Sequence, residues 1–299
     1  MKETISQEFK KVQDYICQEL EALDGLGKFQ EDLWQREEGG GGRTRIINHG
    51  ELLEKGGVNF SEVFGPVSDL MRQQLGLDGK EFYATGVSIV LHPKNPHVPI
   101  MHMNIRYFEM DNGTYWFGGG IDMTPHYIDF QLAQDFHKSL AQVCDNYDAS
   151  FYKKFKIWAD DYFFIPHRNE TRGVGGIFYD HLKADDNNSK HDLLNFALDL
   201  GRLFPKLYAH QAQDKRNLPF SEKQLQWRNI RRGRYVEFNL VYDRGTKFGL
   251  KTAGRIESIL MSLPENASWF YDFSPEENSE EQNTLNHLRK GVDWIGIKK

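Results

Sequence analysis

Five polar side chains recur at alternate positions in two neighbouring segments that are predicted to be strands. They are Ser88, His92, His102, Asn104 and Arg106. Alternate residues of a strand lie on the same face, so one face of this pair carries a hydroxyl, two imidazoles, an amide and a guanidinium. A solvent-facing strand more often carries Lys, Glu and Thr. The pattern therefore favours the floor of a pocket for a large, partly apolar anion, and the alternative is a half-hydrated outer face.

Further imidazoles and guanidinium groups are spread along the chain. His137 lies on the apolar side of a predicted helix, where a hydrogen-bonded core residue is the simpler interpretation, and His167 lies beside a Gly-rich segment. No histidine stands in an HExxH motif or near a CxxC motif, so spacing alone indicates a metal site only weakly. Arginines can clamp carboxylates with two parallel hydrogen bonds. The candidates are Arg106, Arg168, Arg172 and Arg255.

Asp180 ends the short apolar segment Ile177–Asp180. If it is buried, it needs an arginine or a substrate N–H group as its partner; the alternative is an acid at a strand end in water. The sequence contains no nucleophile with an adjacent base, no Schiff-base signature and no nucleotide-binding loop. These groups suit the binding of a polycarboxylate and the movement of a proton better than acyl or phosphoryl transfer.

Composition excludes several classes of protein. The chain has 299 residues, 13% aromatic residues and a net charge of −6, which does not indicate nucleic-acid binding. The mean hydropathy is −0.63 and there is no long apolar run, so we expect no membrane span. The N-terminal segment lacks the apolar region of a secretory signal. Cys17 and Cys144 form neither a disulfide framework nor a CxxC motif, and a cytoplasmic location is expected.

The elements that must position these groups follow from hydrophobic spacing and from turn residues. Helices are predicted over 3–23, 66–75, 130–147, 150–163, 191–204, 222–232 and 256–263, with a weak one at 280–290. Strands are predicted over 46–53, 87–92, 101–108, 114–117, 177–180, 235–242 and 247–252. Because the strands cluster in the middle and helices surround them, the sequence predicts an α+β fold. We expect a single domain with a large, mostly antiparallel sheet flanked by helices on both faces.

Glycine-rich segments and one proline predict loops and breaks in the regular elements, and a group of arginines predicts surface charge. The run Gly39–Gly42 predicts a flexible loop, or alternatively a lid or a nest of N–H groups for carboxylates. The segment 54–65 is expected to be a turn-rich connection. Gly118–Gly120 is expected to end a strand, and Pro205 to break or kink a helix. The arginines between 228 and 234 are interpreted as charges at a helix end and in surface pairs.

Six segments resemble the oxygen-dependent coproporphyrinogen III oxidase family. They are EEGGGGRTRII, EKGGVNFSEVFG, GVSIVLHPKNPHVPIMHMNIRYFE, WFGGGIDMTPHY, PHRNETRGVGGIFYD and RRGRYVEFNLVYDRGTKFGLKTAGRIESILMSLP. The resemblance spans about residues 30–270, in order and with few gaps. Ala253 departs from the pattern, since the family often has two glycines before the arginine.

The resemblance implies an oxidative decarboxylation in haem biosynthesis. Two propionates of coproporphyrinogen III become vinyl groups, which gives protoporphyrinogen IX, and each step uses O₂ and releases CO₂ and hydrogen peroxide. No organic cofactor is implied. By resemblance, His102 falls at the proton-donor position, and the segment of about 235–270 matches a dimerisation region, which implies a homodimer. The positions that match substrate-binding residues are Ser88, Asn104, Ile105, Arg106, Ala253, Gly254 and Arg255. Those that match ligands of a divalent metal, Mn or another, are His92, His102, His137 and His167.

Two of these assignments have open alternatives. We hypothesise that Asp180 accepts the pyrrole N–H groups and is thus a catalytic residue beside His102. The four histidines could equally donate hydrogen bonds to carboxylates without a metal. The competing functions are a histidine-ligated non-haem metal oxygenase that acts on another polycarboxylate, a metal hydrolase, and a non-catalytic haem or porphyrin carrier.

Overall fold

A computed structural model describes residues 1–76, 78–251 and 254–297. The strands are β1 Gln30–Gln35, β2 Gly40–Asn48, β3 Leu53–Pro66, β4 Glu81–Pro93, β5 Ile100–Met110, β6 Tyr115–Thr124, β7 Phe164–Ile165, β8 Glu170–Thr171 and β9 Gly175–Leu182. The helices are α1 Lys2–Asp24, α2 Asp69–Leu75, α3 Phe130–Asp145, α4 Phe151–Tyr162, α5 Lys190–Ala212, α6 Glu222–Glu237, α7 Arg244–Lys251, α8 Ile256–Leu260 and α9 Glu280–His287, with a 3₁₀ turn at Pro166–Arg168 and a π-helical turn at Phe238–Tyr242.

The predicted α+β architecture is confirmed. Seven strands form one antiparallel sheet in the order β1-β2-β3-β4-β5-β6-β9. Each strand from β1 to β6 lies beside the next one in the chain. Short connections join these antiparallel neighbours, except that α2 lies between β3 and β4. Within the described ranges, no helix is long and apolar enough to cross a membrane.

One face of the sheet, which we call the core face, is apolar and covered. Alternate residues of β4 and β5 lie on it, and all of them are buried: Val87, Ile89, Leu91, Met101, Met103, Ile105 and Tyr107. Helices α1, α3, α4 and α5 contribute side chains to the same cluster. The amphipathic spacing that predicted α1 is confirmed, since Ile5, Phe9 and Val12 are among its buried residues.

The opposite face, which we call the outer face, is only partly covered. The C-terminal elements around α8 cross it and are held by polar contacts. Ser258 lies 2.9 Å from the Thr44 hydroxyl, and the Ser262 carbonyl oxygen lies 2.8 Å from His92 Nε2. The Lys55 ammonium donates to the Leu263 carbonyl oxygen at 2.8 Å. The rest of this face carries partly exposed polar side chains, among them Asn104 and Arg106, and a smaller apolar cluster that includes Phe108 and Trp116.

Three predictions about glycine-rich segments are wrong. Gly40–Gly42 belongs to β2 and residues 54–65 to β3, while β6 continues through Gly118–Gly120. These strands continue through the glycines because neighbouring side chains fill the space that a Cβ would need. An added Cβ at Gly56, for example, would lie 2.9 Å from both Ile47 and Leu91. Glycine therefore allows close packing in these strands at a conformational cost that the sheet hydrogen bonds offset.

The helical segments also differ from prediction in three places. Helix α5 continues through Pro205. The predicted strand 235–242 is the end of α6 followed by the π-helical turn, and 247–251 lies in α7. Aromatic side chains such as Tyr235 and Phe238 are buried here on one side of a helix. A short apolar segment can be buried in a helix as well as in a strand, so it does not by itself predict a strand.

The arginines of α6 are mostly buried, which overturns the surface interpretation. The Arg231 guanidinium pairs with Glu170 at 2.9 Å, and that of Arg232 pairs with Glu54 and donates to the Pro93 carbonyl oxygen at 2.7 Å. Burial lowers the pKa of Arg232 to about 10, more than Glu54 raises it. The Arg231 pair ties α6 to β8, and the Arg232 contacts tie it to the start of β3 and the end of β4.

Candidate active site

The predicted polar face exists and forms a row across the outer face of the sheet. Asn59, Ser88 and Asn104 are directly opposite one another on β3, β4 and β5. Gly120 on β6 continues the row. Opposite residues of neighbouring strands lie close together, so these groups can contact one ligand. The row consists of small polar side chains and a glycine, and a Cβ added at Gly120 would lie 3.1 Å from the Phe178 ring.

Arg106 lies one step along β5 from this row and is fixed by two partners. Its guanidinium pairs with Asp180 at 3.1 Å and donates to Asn104 Oδ1 at 2.9 Å. Gly118 lies opposite Arg106 on β6, and an added Cβ there would be 2.7 Å from both Arg106 Nε and Asp180 Oδ1. Arg106 is 35% exposed and Asp180 24%, so both remain accessible to a ligand.

His102 and Asp122 form a dyad between β5 and β6. The two residues are directly opposite, and His102 Nδ1 lies 2.8 Å from Asp122 Oδ1. The carboxylate cannot donate when ionised, so the hydrogen-bond network assigns the proton to Nδ1. Within the described part of the chain no residue hydrogen-bonds Nε2, and His102 is 19% exposed. Nε2 can therefore exchange a proton with a ligand on the outer face.

Asp122 is buried and held by Arg172 as well. Arg172 donates to both carboxylate oxygens, at 2.7 and 3.1 Å, and to Asn239 Oδ1 at 2.8 Å. Although burial raises the pKa of Asp122, Arg172 and His102 lower it more, so the group stays ionised. Three aromatic rings surround the guanidinium at 4.5–4.6 Å: Phe163, Tyr235 and Phe238. This cage fixes the arginine, and hence the acid, in one position.

Asp122 was not predicted to be a site residue. It lies two residues beyond Gly120, and the strand was expected to end at Gly118–Gly120, before this residue. If β6 is continued through the glycines, as its hairpin with β5 requires, Asp122 falls opposite His102. A carboxylate among Ile121 and Met123 in a buried strand is the signal that could have identified it.

The four histidines that match metal ligands lie in separate surroundings. His92 is fully buried with Nε2 against the Ser262 carbonyl oxygen. His137 Nδ1 contacts the Tyr152 hydroxyl and Nε2 the Val174 carbonyl oxygen, both at 3.0 Å. His167 contacts the Tyr242 hydroxyl and the Glu237 carboxylate at 2.8 and 2.7 Å. Across the described ranges, no group of three or more His, Cys, Asp or Glu side chains could hold a metal ion. These imidazoles therefore do not fit one ion.

The remaining predicted residues lie at different distances from the row. The Ile105 side chain is buried on the core face, so only its backbone is near the outer face. Gly254 donates its N–H to the Gly249 carbonyl oxygen at 2.8 Å. The Arg255 guanidinium pairs with Asp32 and donates to Ser258 at 3.0 Å. Ala253 lies outside the described residues. Asp32 is opposite Thr44 and Thr44 opposite Asn59, so Arg255 stands at the far end of the same row.

Comparison with known proteins gives one consistent result. The model of the family described as coproporphyrinogen III oxidase matches residues 4–294. The chain is 46% identical to the oxygen-dependent coproporphyrinogen-III oxidase, chloroplastic, of Glycine max, over 96% of this chain and 77% of the relative. It is also 46% identical to the oxygen-dependent coproporphyrinogen-III oxidase of Prochlorococcus marinus (strain NATL1A), over 96% of this chain and 89% of the relative.

Proposed function

The chain belongs to the coproporphyrinogen III oxidase family, and from this premise we propose that it converts coproporphyrinogen III to protoporphyrinogen IX with O₂ as the oxidant. The observation that carries the assignment to this face is the shared position of His102 and Arg106. They lie four residues apart on one side of β5, about 13 Å along the strand, with Ser88 and Asn104 beside them. An extended ligand with several carboxylates matches this spacing.

Arg255 at the far end of the row and Arg106 beside Asn104 suit the propionates. Arg106 and Arg255 already hold carboxylates of the protein, Asp180 and Asp32, and guanidinium groups have further donors for a ligand. Asn104 and Ser88 between them offer neutral hydrogen bonds. We therefore propose that the macrocycle lies along the row, with propionates toward Arg106 and Arg255.

The proton balance of the reaction gives His102 a role. In each step a propionate, –CH₂CH₂COO⁻, becomes –CH=CH₂ and CO₂, while two electrons and one proton from the substrate pass to O₂. A second proton completes H₂O₂. His102 Nε2 can supply that proton, and the ionised Asp122 at Nδ1 stabilises the imidazolium before the transfer. On this proposal Asp122 is a positioning residue, because it acts through His102.

Asp180 remains the proposed acceptor of the pyrrole N–H groups. It is partly exposed and held by Arg106, and a carboxylate there would also stabilise positive charge as electrons leave the macrocycle. The Asp180→Ala variant is expected to lose most turnover, whereas a variant with wild-type kcat/KM would refute the role.

The divalent metal implied by resemblance does not fit the four histidines as one site, so the roles given to the residues above use none. Metal analysis of the purified protein, with turnover measured before and after exhaustive chelation, tests this point. Full turnover of the metal-free protein would also count against the competing non-haem oxygenase.

The implied homodimer stays a proposal that the surface of the C-terminal segment supports. Several large apolar side chains between residues 240 and 273 are exposed: Leu240, Val241, Leu250, Ile256, Trp269, Phe270, Tyr271 and Phe273. Exposed apolar side chains of this kind are often found at an interface between subunits. The two cysteines are free and buried, which supports the proposed location in a reducing compartment such as the cytoplasm.

The decisive test of the function is anaerobic incubation with coproporphyrinogen III followed by admission of air. We expect O₂ uptake, CO₂ release and a product that oxidises to protoporphyrin, detected by its fluorescence. Binding without O₂ uptake would instead identify a porphyrin carrier.

A further inference from the structure

The strand that carries Asp180 has an irregularity beside the proposed site. Gly119 of β6 pairs with Tyr179 of β9, but Phe117 pairs with Leu182. Two steps on β6 therefore oppose three on β9, which means that β9 contains one extra residue at Asp180–His181. This arrangement is a β-bulge, and bulges near active sites re-aim side chains.

His181 adopts the conformation that makes the bulge. Its φ is +50°, in the left-handed region that side chains other than glycine rarely occupy. Its backbone N–H donates to Asp180 Oδ1 at 3.0 Å, which holds the neighbouring carboxylate in place. The same carboxylate pairs through Oδ2 with Arg106 at 3.1 Å. One oxygen of Asp180 is thus fixed by the bulge and the other by the arginine.

The bulge also breaks the alternation of faces. In a regular strand Asp180 and His181 would lie on opposite faces. Here the His181 ring stacks on Trp116, with ring centroids 4.5 Å apart, and Trp116 stacks in turn on Phe108 at 4.3 Å. Phe108 shares the outer face with Arg106. Both bulge residues therefore face the row, Asp180 toward Arg106 and His181 against the aromatic rings.

We propose that His181 is a positioning residue of the substrate site, whose left-handed backbone aims Asp180 at Arg106 and so sets the direction in which Arg106 receives a substrate carboxylate. The inference rests on the proposed function for the identity of the substrate. What the site requires at this position is a positive φ. Glycine should satisfy this requirement and a β-branched residue should not, because a Cβ branch disfavours the left-handed region.

The test compares His181→Val with His181→Gly and includes a matched control elsewhere. His49 also has a positive φ, +54°, and lies exposed in the turn between β2 and β3, away from Arg106. His49→Val introduces the same backbone strain without affecting the site. We expect both valine variants to lose thermal stability, but only His181→Val to raise KM, by about tenfold, or about 1.4 kcal/mol. His181→Gly should stay within about threefold of wild type.

Two results would overturn the proposal. One is a wild-type KM in His181→Val together with the stability loss of His49→Val. The other is an equal rise of KM in His181→Gly, since loss of the side chain rather than a change of the backbone would then be responsible. If His181→Val does not fold, His181→Ala replaces it with the same two criteria.

A second readout separates this inference from the proposed function. Quenching of the fluorescence of coproporphyrin III, the stable oxidised tetracarboxylate, measures binding without turnover. A wild-type chain that binds this probe and forms no protoporphyrinogen refutes the proposed function. Even then, a tenfold weaker binding of the probe in His181→Val alone supports the positioning role of His181. Equal binding by both valine variants and wild type contradicts it.

Discussion

Histidine has opposite roles on the two sides of the sheet. His137 lies in α3 among the buried residues that pack on the core face, and both of its ring nitrogens have protein partners. His102 on the outer face has a partner at Nδ1, while Nε2 is left for a ligand. The same residue type is structural where both ring nitrogens have protein partners, and suited to catalysis where one nitrogen has no protein partner and the side chain is partly exposed. The comparison predicts that substitutions on the core face change stability, whereas those on the outer face change binding or turnover.

The largest effect should come from the buried Arg172–Asp122 pair, because it contributes to stability and also positions His102. Arg172→Met removes both hydrogen bonds from the guanidinium to the buried Asp122 carboxylate and leaves His102 as its partner, so we expect the free energy of unfolding to fall by about 3–5 kcal/mol. Arg168→Met is the matched control. Arg168 also pairs with an acid, Glu237, but is exposed at 38%, so its loss should cost at most about 1 kcal/mol. Denaturant unfolding of both variants measures the difference, and equal losses would contradict the assignment of Arg172.

The next prediction compares neighbouring strand positions on opposite faces. Ile105→Ala empties space in the core and should lower the free energy of unfolding by about 2–5 kcal/mol, with KM unchanged. Ser88→Ala removes a hydroxyl from the outer face and should change stability by no more than about 0.5 kcal/mol while raising KM. Unfolding curves and steady-state kinetics of both variants are required. A raised KM in Ile105→Ala would show that its side chain, and not only its backbone, affects the substrate.

Much of this division could be predicted from sequence, because a period of two in β4 and β5 fixes which residues share a face. The positions of Ser88, His102, Asn104 and Arg106 followed from it. Three features could not be predicted in this way. The strand through Gly118–Gly120 depends on cross-strand neighbours that fill the missing Cβ positions. The bulge at His181 is a local change of φ, which hydrophobic spacing does not register.

The third feature is the burial of charge. Arg172 and Arg232 are polar in any sequence pattern, and only the packed aromatic rings and the opposing acids make their burial favourable. For the same reason the predicted strand at 235–242 was wrong: its aromatic residues pack against Arg172 from a helix. Tertiary partners, rather than local propensity, decided both outcomes.

The smallest effect predicted near neutral pH concerns the titration of the core histidine. Burial lowers the pKa of His137 to about 3 from an ordinary value of 6.5. Between these values the unfolded chain binds a proton at this residue and the folded chain does not, so the free energy of unfolding falls as the pH decreases below 6.5. Above 6.5 the residue is neutral in both states and contributes no slope, and below about 3 the loss is complete. One unit below 6.5 the expected loss is about 1.4 kcal/mol.

His137→Gln removes this titration and should flatten the pH dependence of stability between 6.5 and 3, as followed by denaturant unfolding at a series of pH values. His191→Gln, which removes an exposed imidazole from the first turn of α5, controls for the loss of a histidine as such. Equal flattening in the two variants would mean that His137 is not held neutral by burial. The contrast with His102 would then rest on hydrogen-bond partners alone, because burial on the core face would not have disfavoured the charged form of a histidine.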